Sequence, residues 1–221
     1  MSYSTLQYDE QKKEIDGLLS IHSEMRGTAG RGRGASNLEV LHKSAVVLLT
    51  ACWESFIENI LTESVGIMAS GLTDTLDLPI EFRKGIALTK SKALTINATH
   101  ELYPWSFAGD NWRVLVLKFA ELKISELNTP NSENTKKLFS LLLGIEDITQ
   151  SWARQRKAAS DAADKLDNHL SDRHSIAHGG GMTKTFTKNY IINYRDFLDL
   201  TVHKTEKEIR RKLRTLGLVL S

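Results

Sequence analysis

The stretch that decides the fold is residues 41–58, which read Leu-His-Lys-Ser-Ala-Val-Val-Leu-Leu-Thr-Ala-Cys-Trp-Glu-Ser-Phe-Ile-Glu. Apolar side chains recur there at three- and four-residue spacing, the period that places them on one face of an α-helix. Between Ser44 and Trp53 the other faces of that helix are apolar as well. Because a helix that is apolar on most faces is buried on most faces, the stretch predicts a central helix surrounded by other elements.

Composition places the chain among globular proteins. It has 221 residues, 41% of them hydrophobic and 25% charged, which is typical of a packed core and not of a disordered chain. We expect one domain over residues 1–221. The net charge of +2 is too small to indicate a partner by itself. Cys52 is the only cysteine, so an internal disulfide and a cysteine-based zinc site are both excluded.

The apolar stretch is too short to predict a membrane span. The run Ala45–Trp53 lies between Lys43 and Glu54, and spanning a bilayer takes roughly 20 apolar residues. The first residues, Met-Ser-Tyr-Ser-Thr, lead into charged side chains without the apolar core of a signal peptide. We therefore expect a cytoplasmic protein with no membrane partner.

Proline positions divide the chain into long and short helices. Proline interrupts a helix because it lacks an amide donor, and the three prolines lie in the middle of the chain, at positions 79, 104 and 130. Apolar periodicity predicts long helices over about 4–25 and 188–216, and another that begins near Lys157. The predicted fold class is all-α, an antiparallel helical bundle with long helices near both ends and shorter helices in the middle.

Local signals place several boundaries of these helices. Ser36 has a glutamate three residues later and predicts a capping box at the start of the central helix. Thr129-Pro130 has the pattern of an N-cap followed by proline at the first helical position. Residues 102–107 predict an aromatic-rich loop, and Gly179–Gly181 end the helix that precedes them. Met182–Thr187 alternates in polarity and favours a short extended piece.

The segment that carries chemistry is residues 171–181, Ser-Asp-Arg-His-Ser-Ile-Ala-His-Gly-Gly-Gly, at the end of an amphipathic helix. Arginine is a permanent planar cation that suits phosphate oxygens. Histidine exchanges its proton near neutral pH and can act as a general acid or base. Arg173 and His178 are therefore a minimal set for cleaving a phosphodiester, because one neutralises charge on phosphorus oxygens and the other handles the attacking 2′-hydroxyl.

This segment, Arg173-His-Ser-Ile-Ala-His178 followed by Gly179, resembles the Arg-x4-6-His signature of the HEPN superfamily. Residues 41–58 resemble the first core helix of its RiboL-PSP-like group, and the resemblance covers about residues 35–215. It implies a helical bundle, usually a homodimer. In many members it also implies a metal-independent ribonuclease of defence and toxin–antitoxin systems, with a possible cognate antitoxin or regulatory protein as a partner.

The resemblance also implies roles for single residues. It assigns Arg173 to the phosphate, His178 to acid–base catalysis, His174 to an additional polar position and Glu54 to a supporting carboxylate. It implies no cofactor and no metal. Relatives that transfer nucleotides to nucleic acid carry a tyrosine two residues after the histidine, and Gly180 stands there in this chain. That difference favours a hydrolase that cuts RNA.

The spacing of the motif bears on how it could work. Residues five positions apart on a regular helix diverge by about 140°, so Arg173 and His178 of one helix do not meet at one phosphate. Either the Gly179–Gly181 break turns the segment inward, or two copies of the chain supply complementary groups. The resemblance favours the second arrangement.

Structural explanations compete with these roles. Arg173 also suits a helix C-terminus, where the dipole favours a cation. Glu54 lies on an apolar face, where it could form a structural ion pair or extend its carboxylate to solvent instead of orienting His178 or pairing with Arg173. His174 could simply order the loop. His174 and His178 have the spacing of a metal-binding pair, but only Asp172 or His169 could add a ligand, so we expect no metal site.

Two basic segments could contact RNA. Arg31 and Arg33 lie in a glycine-rich stretch that is more typical of a flexible connector. Lys207 and Arg211 lie on the last helix, where the i,i+4 pairs Glu206–Arg210 and Glu208–Lys212 favour a solvated, salt-bridged face. If the motif is inactive, the alternative function is a non-catalytic HEPN module that binds RNA or a partner protein. A helical accessory subunit with a coincidental motif is a third alternative.

Overall fold

The computed structural model describes residues 1–28, 35–89, 109–153, 158–178 and 184–220, without the side chains of residues 25–28 and 35–37. This part of the chain contains seven α-helices, two 3-10 helices and no strand. The α-helices are α1 (Tyr3–Thr28), α2 (Ala35–Gly71), α3 (Ile80–Leu88), α4 (Asn111–Ser125), α5 (Ser132–Leu143), α6 (Ala159–Ala177) and α7 (Lys188–Thr215). The predicted all-α bundle, with long helices near both ends, is confirmed.

Helix α2 is the centre of the bundle, as its sequence predicts. It packs against α1, α4, α5, α6 and α7, and its side chains Trp53, Phe56, Ile57 and Ile60 are at most 1% exposed. Burying each such side chain stabilises the fold by about 1.5–3 kcal/mol. Leu38–Gly71 is long and apolar enough to cross a membrane by length and composition, but 56% of its apolar window is buried inside the bundle. These apolar faces therefore form the protein core.

Helices α6 and α7 run antiparallel and bring the motif to the start of α7. Three side-chain contacts fix their relative direction: Lys165 with Phe197, His169 with Tyr194, and Asp172 with Tyr190. Residues nearer the C-terminal end of α6 contact residues nearer the N-terminal end of α7. The last turns of α6 consequently lie beside the first turns of α7, and α2 packs against both helices.

Glu206, whose spacing from Arg210 predicts a pair on a solvated face, is instead a buried carboxylate that joins the start of α1 to α7. The backbone N–H of Ser2 and the hydroxyl of Thr5 donate to it, each at 2.7 Å. Arg210 pairs with it at 2.6 Å. Burial alone would raise the pKa of Glu206, but the hydrogen bonds from Thr5, Arg210 and Ser2 outweigh burial and lower it.

The predicted start of α5 is wrong by two residues. The N-cap is Asn131, whose side-chain oxygen accepts the backbone N–H of Asn134 at 2.8 Å, and the helix begins at Ser132. The Pro130 carbonyl instead accepts the indole N–H of Trp53 at 2.9 Å. Asn131 is the N-cap because its amide oxygen accepts a backbone N–H of the first turn that has no partner within the helix.

Other predicted boundaries agree with the structure or lie outside it. The last helix begins at Lys188, with Thr187 as its N-cap, and the helix predicted from about residue 157 begins at Ala159. Residues 184–187 contain no helix. Helix α2 begins at Ala35, one residue before the predicted N-cap Ser36, whose side chain lies outside the described residues. The loop predicted at residues 102–107, the glycines 179–181 and residues 182–183 lie outside them as well.

Candidate functional site

The motif occupies the C-terminal turns of α6. Its helical conformation continues through Ala177, and His178 is the C-cap, with φ −96° and ψ 6°. The backbone N–H of His178 donates to the carbonyl of His174 at 3.1 Å, as in a regular turn. The chain therefore keeps its helical path up to His178, and the side chains of Arg173 and His178 diverge by about 140° around the helix axis.

His174 and His178 lie one turn apart and their rings are in contact. The ring centroids are 4.3 Å apart at an interplanar angle of 47°. Both side chains are exposed, and neither imidazole makes a hydrogen bond with a residue that the structure describes. Both imidazoles are therefore accessible to a ligand at the end of α6.

Arg173 is close enough to Glu54 of α2 for its charge to act on that carboxylate. Both side chains are half-buried, yet no ion pair within 4.0 Å joins Arg173 to any carboxylate among the described residues. Burial raises the pKa of Glu54, the charge of Arg173 lowers it, and Glu58 raises it, so that the pKa stays above its ordinary value. The structure thus brings Glu54 and Arg173 near each other without a direct bond, which leaves the guanidinium donors open to a ligand.

A network of polar side chains, absent from the sequence analysis, lies behind the motif. The hydroxyl of Tyr190 donates to a carboxylate oxygen of Asp172 at 2.5 Å, and the ammonium of Lys184 donates to the same oxygen at 2.5 Å. Nδ1 of His169 lies 2.5 Å from the hydroxyl of Tyr190. Because Tyr190 gives its only proton to Asp172, His169 must be the donor in this contact, with its proton on Nδ1.

His169 is neutral in this network. Its side chain is 6% exposed, and burial, followed by the charge of Lys165, lowers its pKa from 6.5 to about 4. The pKa of Tyr190 is raised, mainly by burial and then by its hydrogen bond to Asp172. Both groups are therefore structural near neutral pH, and neither is placed to exchange protons with solvent.

The same network reaches α2 one turn before Glu54. The ring of Tyr194 stacks on His169 with 3.8 Å between centroids. Its hydroxyl lies 3.1 Å from that of Thr50, which itself donates to the carbonyl of Val46 at 3.0 Å, so Tyr194 is the donor to Thr50. These bonds hold the end of α6, the start of α7 and the middle of α2 in one arrangement.

A model of the RiboL-PSP-HEPN family matches residues 7–211. The chain belongs to this family. The match includes most of α1, so the family region begins earlier than residue 35, where the resemblance begins. No curated protein and no solved structure matches the chain significantly. Membership places the chain among the nuclease-related and RNA-related HEPN modules.

Of the remaining predicted residues, the two that the structure describes, Lys207 and Arg211, do not join the motif. Arg31 and Arg33 lie outside the described residues. Lys207 and Arg211 are exposed on α7, well beyond the turns of that helix that contact Asp172. Among the described residues, no three His, Cys, Asp or Glu side chains come together as metal ligands would.

Proposed function

We propose that this RiboL-PSP-HEPN protein is an endoribonuclease that cuts RNA without a metal ion. The observation that carries the proposal is the state of Arg173, a half-buried guanidinium that makes no ion pair with the described residues and lies beside Glu54. A permanent cation on a structured helix end, next to two open imidazoles, suits a phosphodiester.

The reaction is attack of an RNA 2′-hydroxyl on the adjacent phosphorus. His178 accepts the 2′-hydroxyl proton as the 2′-oxygen–phosphorus bond forms, and the bond from phosphorus to the 5′-oxygen breaks. The leaving 5′-oxygen takes up a proton, for which the neighbouring imidazole of His174 is the available donor. Arg173 stabilises the negative charge that builds on the phosphorus oxygens. Glu54 orients Arg173 through its opposite charge.

The active form is a homodimer whose two motifs lie near the two-fold axis. Because Arg173 and His178 diverge on a regular helix, one copy alone does not direct both side chains to one phosphate. A symmetric interface brings Arg173 of one copy near His178 of the other. We place this nuclease in a defence or toxin–antitoxin context, in the cytoplasm, with a cognate antitoxin or regulatory protein as its partner.

Incubation of the purified protein with RNA in excess chelator tests the reaction. The expected result is cleavage that leaves 2′,3′-cyclic phosphate and 5′-hydroxyl ends, which end-specific labelling distinguishes. The His178→Ala variant should lose this cleavage. The His203→Ala variant is its matched control, because His203 is also an exposed histidine but lies on α7 outside the motif.

Cleavage that stops in chelator and returns with magnesium would exclude the proposed mechanism. RNA binding without cleavage, unchanged in the His178→Ala variant, would instead favour a non-catalytic HEPN module. A protein that neither cuts nor binds RNA would favour a role in contacting a partner protein.

A further inference from the structure

A basic cleft lies at the opposite end of α7 from the motif. Its volume is about 630 Å³, and its lining contains a single carboxylate, Glu208. Five basic side chains of α7 line it: Lys204, Lys207, Arg210, Arg211 and Arg214. The cleft therefore has an excess of positive charge, although the net charge of the whole chain is only +2.

Three of these cations have partners inside the protein. Arg210 pairs with the buried Glu206, and Arg211 pairs with Glu208 at 2.6 Å. The ammonium of Lys204 donates to the carbonyl of Ala153. These bonds account for part of the positive charge of the cleft as ordinary structural interactions.

Lys207 and Arg214 differ from the other three. Both are exposed, and neither forms an ion pair with any residue that the structure describes. They are seven positions apart, so they lie on one face of α7 with about 10 Å between them along the helix axis. A strand of nucleic acid has a phosphate about every 3.4 Å, so a short run of its backbone can contact both side chains.

Stabilisation of the helix end does not explain both cations. Arg214 lies in the last turn of α7, where the helix dipole favours a positive charge. Lys207 lies two turns earlier, beyond the last turn in which that effect operates. An unpaired lysine in a cleft with four other cations is better explained by an anionic ligand.

We infer that this cleft binds the phosphate backbone of the RNA at a distance from the cleavage site. The inference rests on the proposed function and adds a requirement on the length of the substrate. Tyr190, which contacts the motif-bearing helix, and Lys207 are 17 positions apart on α7, which corresponds to about 25 Å. A stacked strand needs roughly seven nucleotides to cross that distance, so a shorter RNA reaches only one of the two sites.

Binding of fluorescent single-stranded RNAs of 5 and 20 nucleotides tests the inference. The His178→Ala background prevents cleavage during the measurement. In that background, Lys207→Glu with Arg214→Glu should weaken binding of the 20-mer at least tenfold at low salt. The slope of log affinity against log salt should fall by about 1.4, because each lost contact to single-stranded phosphate accounts for about 0.7. Without the two substitutions the 20-mer should bind more tightly than the 5-mer, and this difference should shrink in the cleft variant, because a 5-mer reaches only one of the two sites.

Lys13→Glu with Lys84→Glu is the matched control, since it makes the same change of charge at exposed lysines of α1 and α3. Equal weakening of 20-mer binding by the control and the cleft variant would overturn the inference, as would an equal loss for both RNA lengths. Absence of RNA binding at low salt would overturn it as well. If the parent protein cuts RNA but the cleft variant binds normally, the inference fails and the proposed function stands. If nothing is cut but binding depends on the cleft, the proposed function fails and the inference stands.

Discussion

The last turns of α6 carry two sets of polar side chains, one set held by hydrogen bonds and the other open. In the first set, Asp172 and His169 are held by hydrogen bonds to Tyr190. In the second set, Arg173 and His178 make no side-chain hydrogen bond with the described residues. Polar groups that stabilise a fold are usually satisfied within it. Open groups next to a satisfied network are therefore the better candidates for contact with a substrate.

The largest expected effect of that difference is on cleavage. Arg173→Ala removes charge stabilisation and His178→Ala removes proton transfer, so each should slow RNA cleavage by roughly 10²–10⁴-fold. Because both act on one transition state, the double variant should be little slower than either single variant. Single-turnover rates with unchanged helical circular dichroism provide the measurement. Additive losses in the double variant would show that the two residues work separately.

Mixing the Arg173→Ala and His178→Ala variants tests whether each active site takes residues from two copies of the chain. After subunit exchange, half of the dimers contain one Arg173→Ala chain and one His178→Ala chain, and each such dimer has one intact shared site. The mixture should therefore recover about a quarter of the parental activity. Self-contained sites would recover none. A monodisperse monomer that is fully active would contradict the dimeric site.

The free energy of unfolding should depend on pH through His169, which belongs to the hydrogen-bonded set. The folded state binds the proton of His169 more weakly than the unfolded chain, because burial lowers its pKa from 6.5 to about 4. Stability from the neutral ring is complete above pH 6.5, and roughly 3 kcal/mol is lost as the pH falls to 4. Denaturant unfolding of the parent and of His169→Phe at both pH values measures this difference.

In the His169→Phe variant the loss on acidification should shrink by that amount. The control is His203→Phe, which replaces an exposed histidine of α7 and should leave the acid sensitivity unchanged. An identical pH dependence in the parent and in His169→Phe would show that His169 does not destabilise the fold on protonation.

A smaller effect is expected from one hydroxyl of the network. Tyr190→Phe removes the donor to Asp172 and leaves the Nδ1 proton of His169 without its acceptor. The expected loss in the free energy of unfolding is about 1–3 kcal/mol. Tyr3→Phe is the control, because Tyr3 is exposed and its change should stay within about 0.5 kcal/mol. Equal stability of both variants would mean that the network contributes nothing.

The sequence predicts the parts of the fold that depend on one helix at a time. The apolar period around Trp53 identifies the central helix, and the same period shows that Glu54 lies on a partly apolar face, where the structure has it half-buried. The motif at Arg173 is recognisable because its residues are neighbours in the sequence. Each of these features requires only local spacing.

Features that depend on how two helices pack cannot be predicted from local patterns in the sequence. Tyr190 looks like an inward hydrophobic residue, and nothing local indicates that its hydroxyl joins His169 to Asp172. A signal was present in the buried position of His169 on the stripe of Leu166 and Leu170, but its partner lies 21 residues away. The organisation of residues 1–221 as one domain stays a prediction.

Glu206 illustrates the same limit at the other end of α7. It stands among charged residues that favour a solvated face, and its burial results from contact with Ser2 and Thr5 at the start of α1. The pairing of α1 with α7 therefore decides its environment. Local periodicity on α7 gives no information about that pairing.

The most direct test of the difference between the open residues and the hydrogen-bonded network uses His178→Ala and Tyr190→Phe. For each variant, the rate of RNA cleavage and the free energy of unfolding are measured. His178→Ala should slow cleavage of a 20-nucleotide RNA in chelator by roughly 10²–10⁴-fold, while its free energy of unfolding stays within about 0.5 kcal/mol of the parent. Tyr190→Phe should lose stability but cut RNA within a few-fold of the parental rate once both are folded. If His178→Ala instead folds normally and cuts RNA at the parental rate, the catalytic role assigned to His178 is wrong.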